Sequence, residues 1–204
     1  MSLFKQCDRG PERGRSGGAG LEPVLRRPAP ELLEAYLDFC RETWDHVHDH
    51  YILHDPAGFG AWRHTLFSDL RRAEQGIALP PGIVPSVTYW IFLGERCIGV
   101  GNLRPHLNHA LTVYGGHIGI AIRPAARCRG YAHRAFLLLF GEAEKFGIEE
   151  LLLTCFEENS ASARLLAGLP GAVMEKDEVL LGGRMRRIRR YRYAIPQKVA
   201  VGPV

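Results

Sequence analysis

A chain of 204 residues, 46% apolar and 24% charged, can bury a core without disulfides or a structural metal, and its apolar runs fall well short of the roughly 20 residues a membrane span needs. The formal net charge of +4 is unevenly spread, with arginines crowding 184–192 and carboxylates crowding 31–55, so a uniformly basic nucleic-acid binder is not expected. Five cysteines, Cys7, Cys40, Cys97, Cys128 and Cys155, are odd in number and lack Cys-x-x-Cys spacing, which predicts reduced thiols and a cytoplasmic protein.

Residues 1–20 combine arginine and glycine without an apolar stretch and read as a flexible leader, followed by one domain over 21–204. "LEPVLRRP" (21–28) suits a first strand. Pro30 then opens a helix in which Leu32, Leu33, Tyr36, Phe39, Cys40, Trp44 and Val47 recur at three- and four-residue spacing. A second helix is expected over 56–73, with Phe59, Trp62, Leu66 and Leu70 on one side, and the prolines of "GIALPPGIVP" make the next segment a loop. "SVTYWIFLG" and "RCIGVGNL" flank a tight turn at Gly94 and Glu95 as a hairpin, and "HIGIAIR" (117–123) is the strand after it. A helical stripe from Tyr131 to Phe146 ends at Gly147. "LLLTCF" (151–156) is apolar throughout, as in the middle of a sheet covered on both faces. A short helix, "SASARLLAG", and two strands around 171–180 and 185–195 complete an α/β chain with one central strand-to-helix crossover.

At that crossover, Arg127, Cys128, Arg129, Gly130, Tyr131 and Ala132 place small residues in a turn that opens a helix. Backbone N–H groups at a helix start, helped by the macrodipole, make a seat for phosphate, and an arginine fork can add to it. The plainer alternative is that Gly130 merely permits the turn. Neither a P-loop nor a dinucleotide fingerprint fits, because Gly-x-x-x-x-Gly-Lys-Ser/Thr is absent and the turn holds one glycine.

The element order and the string "IAIRPAARCRGYA" resemble the GNAT superfamily of N-acetyltransferases over roughly Leu21 to Ile195. The family's [Arg/Gln]-x-x-Gly-x-[Gly/Ala] is matched by Arg127, Gly130 and Ala132, and its Asn-x-x-Ala/Ser by Asn159 and Ser162. "GIVPSVTYW", Leu107 with Asn108, and "GGHIG" are similar to an uncharacterised bacterial subgroup of predicted acetyltransferases. The resemblance implies a GNAT-type fold: a mixed, mostly antiparallel central sheet, helices on both faces, and a splayed central strand pair. It implies acetyl-CoA as cosubstrate, its diphosphate on the amides of Arg127, Cys128, Arg129, Gly130, Tyr131, Ala132 and His133. The pantetheine would lie along Ile120, Ala121 and Ile122, with Asn159 and Ser162 beside the cofactor arm. The acceptor is expected to be a primary amine, small molecule or peptide, walled by the two N-terminal helices and the loops near Pro80 and His106. Relatives often pair, which leaves a homodimer open.

Acetyl transfer needs a neutral amine, a polarised thioester carbonyl and a proton for the leaving thiolate. A backbone amide of strand 118–122 is the expected oxyanion donor. His117 is the first candidate base, against a structural role at the strand mouth; His106 and His109 are further candidates. Many relatives carry a tyrosine seven residues after the signature asparagine, where this chain has Leu166. Tyr131, Tyr114 or a water can stand in as the acid, and a non-catalytic acyl-CoA sensor or interaction module is the alternative function. Cys155 is expected to be a buried, inert thiol. His46, His50 and His54 sketch a metal box, but His-Glu-x-x-His is missing, so a polar helix end and no metal are expected. In the C-terminal strand Tyr191, Tyr193 and Ile195 alternate with Arg190 and Arg192, the pattern of a half-buried strand rather than a nucleic-acid surface.

Overall fold

The computed structural model describes residues 21–47 and 53–195. Four strands, β1 (Val24–Arg26), β2 (Val87–Leu93), β3 (Arg96–Leu103) and β4 (Ile118–Ile122), form one antiparallel sheet in chain order. Three more, β5 (Glu150–Phe156), β6 (Val173–Leu181) and β7 (Arg184–Ala194), form a second antiparallel sheet in the order β5-β7-β6. Tight turns explain the hairpins: Gly94 at φ 60° joins β2 to β3, and Gly182 and Gly183, at φ 56° and 75°, join β6 to β7.

The helices are α1 (Leu33–Thr43), α2 (Phe59–Trp62), α3 (Leu66–Gln75), α4 (His109–Val113), α5 (Tyr131–Lys145) and α6 (Ser160–Ala167). The first sheet is covered on both faces. On one, Trp90, Phe92, Val100 and Ala121 meet Tyr36, Phe39, Cys40 and Leu66, with the Tyr36 ring stacked 4.3 Å from Trp90. On the other, Val87, Tyr89, Leu103 and Ile118 meet Phe136, Leu139 and Ala143 of α5, and this core runs on under β5, β7 and α6. The expected burial of Tyr191, Tyr193 and Ile195 holds: the two phenols donate to the carbonyls of Ala163 and Leu166 on α6. No helix among the described residues is long and apolar enough to cross a membrane.

Two elements depart from expectation. The helix over 56–73 is broken, because the chain turns after Trp62, whose indole donates to the Asp55 carbonyl at 2.7 Å while Thr65 N bonds the Trp62 carbonyl. Its apolar residues keep helical spacing on both sides of the turn, so periodicity alone hides it. Conversely, α4 is an unexpected helix, started by Asn108, whose side chain accepts from Leu111 N at 3.0 Å.

Candidate active site

The two sheets meet at one bridge, Gly116 with Leu153, and form no further ladder between β4 and β5. Three hydrogen bonds make this junction, each 2.8 Å: Gly115 N to Thr154 Oγ1, His117 N to the Leu152 carbonyl, and Leu152 N to His117 Nδ1. Beyond it the edge of β4 that faces away from β3 has no partner strand among the described residues. Hydrogen-bond parity says which groups line that edge. Arg123 N bonds the Ile98 carbonyl and Arg104 N bonds the His117 carbonyl. Backbone groups alternate sides in an antiparallel ladder, so Gly119 and Ala121 pair toward β3 and Ile118, Ile120 and Ile122 present theirs to the gap. Of the three strand residues expected to line a cofactor, Ile120 and Ile122 therefore face the gap with their backbone, and Ala121 does not.

At the far end of β4 the chain bends through Pro124–Ala126 and into α5. Cys128 at φ 60° and Gly130 at φ 79° are both left-handed. A Cβ built on Gly130 meets nothing within 4 Å among the described residues. No side chain caps the helix start, and Arg134 N, bonded to the Gly130 carbonyl at 3.2 Å, is the first N–H taken within the helix. The amides of Tyr131, Ala132 and His133 are thus the orphan donors of a helix N-terminus, with the positive end of a four-turn dipole behind them. Arg129 is exposed beside them. Arg127 is also exposed, but its Nε donates to the Ile122 carbonyl at 2.9 Å and its Nη2 to the His46 carbonyl at 3.3 Å, which ties the bend to β4 and to the segment after α1. Cys40, Cys97 and Cys155 are free and buried.

A forked strand pair and a glycine-started helix thus occur in one chain. Residues 24–169 match the family model of the acetyltransferase (GNAT) domain. The chain belongs to the GNAT acetyltransferase family. Among solved structures it is similar to a probable acetyltransferase (16% identity, TM-score 0.63, 87% of this chain and 95% of that one). It is also similar to RimL, the ribosomal L7/L12 alpha-N-protein acetyltransferase in complex with coenzyme A (15%, 0.60, 85% and 94%). A third is the microcin C7 self-immunity acetyltransferase MccE in complex with acetyl-CoA and AMP (16%, 0.60, 85% and 93%). No curated protein matches the chain.

In this GNAT domain the two expected catalytic side chains stand at opposite ends of β4. His117 precedes it, and Tyr131 lies beyond its other end, packed with Ala132 against the cluster of Ile91, Ile98, Ile122, Ala126 and Ala135. Five strand residues span roughly 16 Å, so the pair cannot serve as base and acid at one carbonyl. Tyr131 belongs with the bend that opens α5. His117 is half-buried, and burial, with the nearby Arg104 charge adding to it, lowers its pKa below the ordinary histidine value. Because a backbone N–H only donates, the Leu152 bond fixes Nδ1 as an acceptor and puts the proton of the neutral ring on Nε2.

Tyr114 stands at the other end of β4 from Tyr131. It immediately precedes the junction, and its ring stacks on Phe156 at 4.3 Å while the Arg186 guanidinium covers Phe156 at 3.9 Å. Leu166 is buried in the core and offers no proton. Asn159 caps α6, its Oδ1 accepting from Ser162 N at 3.1 Å, so the Asn-x-x-Ser signature starts that helix directly after β5. Cys155 is buried, and burial pushes its thiol up to about 11.

His106 and His109 are exposed, the latter at the start of α4. Of the histidine box, His50 lies outside the described residues, His46 is exposed, and His54 Nδ1 sits 2.8 Å from the Tyr36 hydroxyl beside the Trp62 ring. The C-terminal arginines pair with carboxylates: Arg186 with Glu158, Arg187 with Glu178, Arg189 with Glu157, Arg190 with Asp177 and Arg192 with Glu150. Sequence reasoning missed Thr154 and Arg104. Thr154 left a signal, as the one hydroxyl in the apolar run 151–156; Arg104, whose Nη1 donates to the Gly116 carbonyl at 3.1 Å, left none.

Proposed function

We propose that this chain transfers the acetyl group of acetyl-CoA directly to a primary amine. The bend at Gly130, at one end of a strand whose outer edge has no partner strand, carries the proposal. The diphosphate would sit on the amides of Tyr131, Ala132 and His133, beside the exposed Arg129. The pantetheine would run along the gap edge of Ile122 and Ile120, which sets the thioester toward the His117 end. An amide there, fixed before the reaction, stabilises the developing oxyanion without reorganisation. Ile118 N is the gap-facing amide closest to the junction.

Positioning supplies much of the rate in such a transfer. Tyr114 is the side chain best placed to return a proton to the thiolate, and the buried Cys155 thiol argues for direct transfer rather than an acyl-cysteine. The core position of Leu166 favours a second reading, a non-catalytic acyl-CoA sensor.

Acetyl-CoA calorimetry with coenzyme A release over a panel of amines and peptide N-termini separates the two. Turnover with any acceptor, reduced on the order of tenfold or more in kcat by Tyr114→Phe with acetyl-CoA affinity kept, supports the enzyme. Tight binding with no release for any acceptor supports the sensor. No binding at all sinks both.

A further inference from the structure

A sheet that ends in mid-core has to satisfy the donors it abandons, since a buried backbone N–H without a partner costs about 1–3 kcal/mol. Leu152 is buried, and its N–H points across the junction where a β4 carbonyl would continue the ladder. The carbonyls there are already committed to β3: Arg104 N takes that of His117 at 2.8 Å, and Arg104 Nη1 takes that of Gly116 at 3.1 Å. His117 fills the vacancy with its own ring. We propose that His117 is a positioning residue and not the general base: its Nδ1 stops the β4–β5 ladder by accepting from Leu152 N, and so holds open the fork in which the cofactor lies.

The chemistry of the ring makes the two roles exclusive. With Nδ1 accepting, the neutral imidazole carries its proton on Nε2 and has no lone pair left for an incoming ammonium. If the ring gains a second proton, Nδ1–H confronts Leu152 N–H, donor against donor, and the junction opens. Burial is the largest influence on the ring and opposes protonation, as do the charges of Arg104 at the end of β3 and His106 in the next loop; the Leu152 backbone and Glu150 on β5 favour it, and the net effect lowers the pKa below the ordinary histidine value. A histidine with a lowered folded pKa stabilises the fold fully above its unfolded value near 6.5 and loses that contribution as pH falls toward the folded value.

The inference rests on the fork being the acetyl-CoA seat, but its first readout needs no cofactor. In the full chain with 15N-labelled histidine, the signals lost in His117→Asn should show unprotonated Nδ1 and protonated Nε2 and should titrate below the ordinary midpoint. Asparagine sets an amide oxygen near the place of Nδ1 and does not titrate. His117→Asn should therefore keep acetyl-CoA affinity within about threefold of the parent at pH 7.5, while His117→Ala loses on the order of tenfold. Below pH 6.5 the parent should lose affinity and thermal stability more steeply than His117→Asn. A proton on Nδ1 at pH 7.5, or a folded His117→Asn as impaired as His117→Ala, overturns the proposal. So does an acid-side loss of stability unchanged in His117→Asn. Should the parent bind no acetyl-CoA, the functional reading fails while the tautomer and the acid-side stability still judge the strut.

Discussion

The two ends of β4 are built on different principles. At its C-terminal end, the bend from Arg123 to Gly130 is made by backbone conformation: two left-handed residues, a 3-10 turn and a helix whose first amides have no internal acceptor. At its N-terminal end, the fork is made by side chains standing in for a ladder, with Thr154 Oγ1 and His117 Nδ1 each taking a backbone N–H from the other sheet. A seat made of backbone tolerates many side chains but few backbone conformations. A junction made of side chains is the reverse.

That contrast can be broken, and the largest effect belongs to the bend. Gly130→Val forces a branched residue into φ 79° where a Cβ otherwise has open space. The backbone cost is about 1–2 kcal/mol, and acetyl-CoA affinity should fall on the order of 100-fold, about 2.7 kcal/mol, by calorimetry on a variant that still unfolds cooperatively. Affinity kept within a few-fold would move the diphosphate elsewhere.

At the fork, Thr154→Val preserves shape and removes the acceptor of Gly115 N, so denaturant unfolding should show a loss of about 1 kcal/mol. The partial burial of that bond keeps the loss at the low end. Unchanged stability would mean that the junction does not depend on side chains. The smallest effect should come from the arginine strand. Arg187, 72% exposed and 3.1 Å from Glu178, is worth less than about 1 kcal/mol, and Arg187→Ala should leave both acetyl-CoA affinity and its salt dependence close to those of the parent. A large loss would give that strand a ligand role that its cross-strand carboxylates argue against.

The same contrast explains how much could be read in advance. The loop prolines, the Gly94–Glu95 hairpin, the stripe of α5 and the helix stop at Gly147 depend on neighbours within a few residues, and each stands as expected. The break after Trp62 escaped because it rests on the distant Asp55 carbonyl, and α4 escaped although Asn108 is a readable N-cap. His117 was legible as a residue of consequence, yet its role was not, since the atom that occupies it is Leu152 N, 35 residues away. Likewise, the hydrogen bonds of Arg127 to the carbonyls of Ile122 and His46 could not be read from its place in the motif, because His46 lies 81 residues away.

From the amino acids alone came the family, the strand-to-helix crossover and the glycine on which it turns, because a positive φ and an uncapped helix start are properties of a few consecutive residues. The tertiary structure alone decided which edge of β4 is free, which of its amides face the gap, and that its leading histidine is spent as an acceptor. Those facts depend on hydrogen bonds between segments far apart in the chain, and local spacing carries no record of such partners.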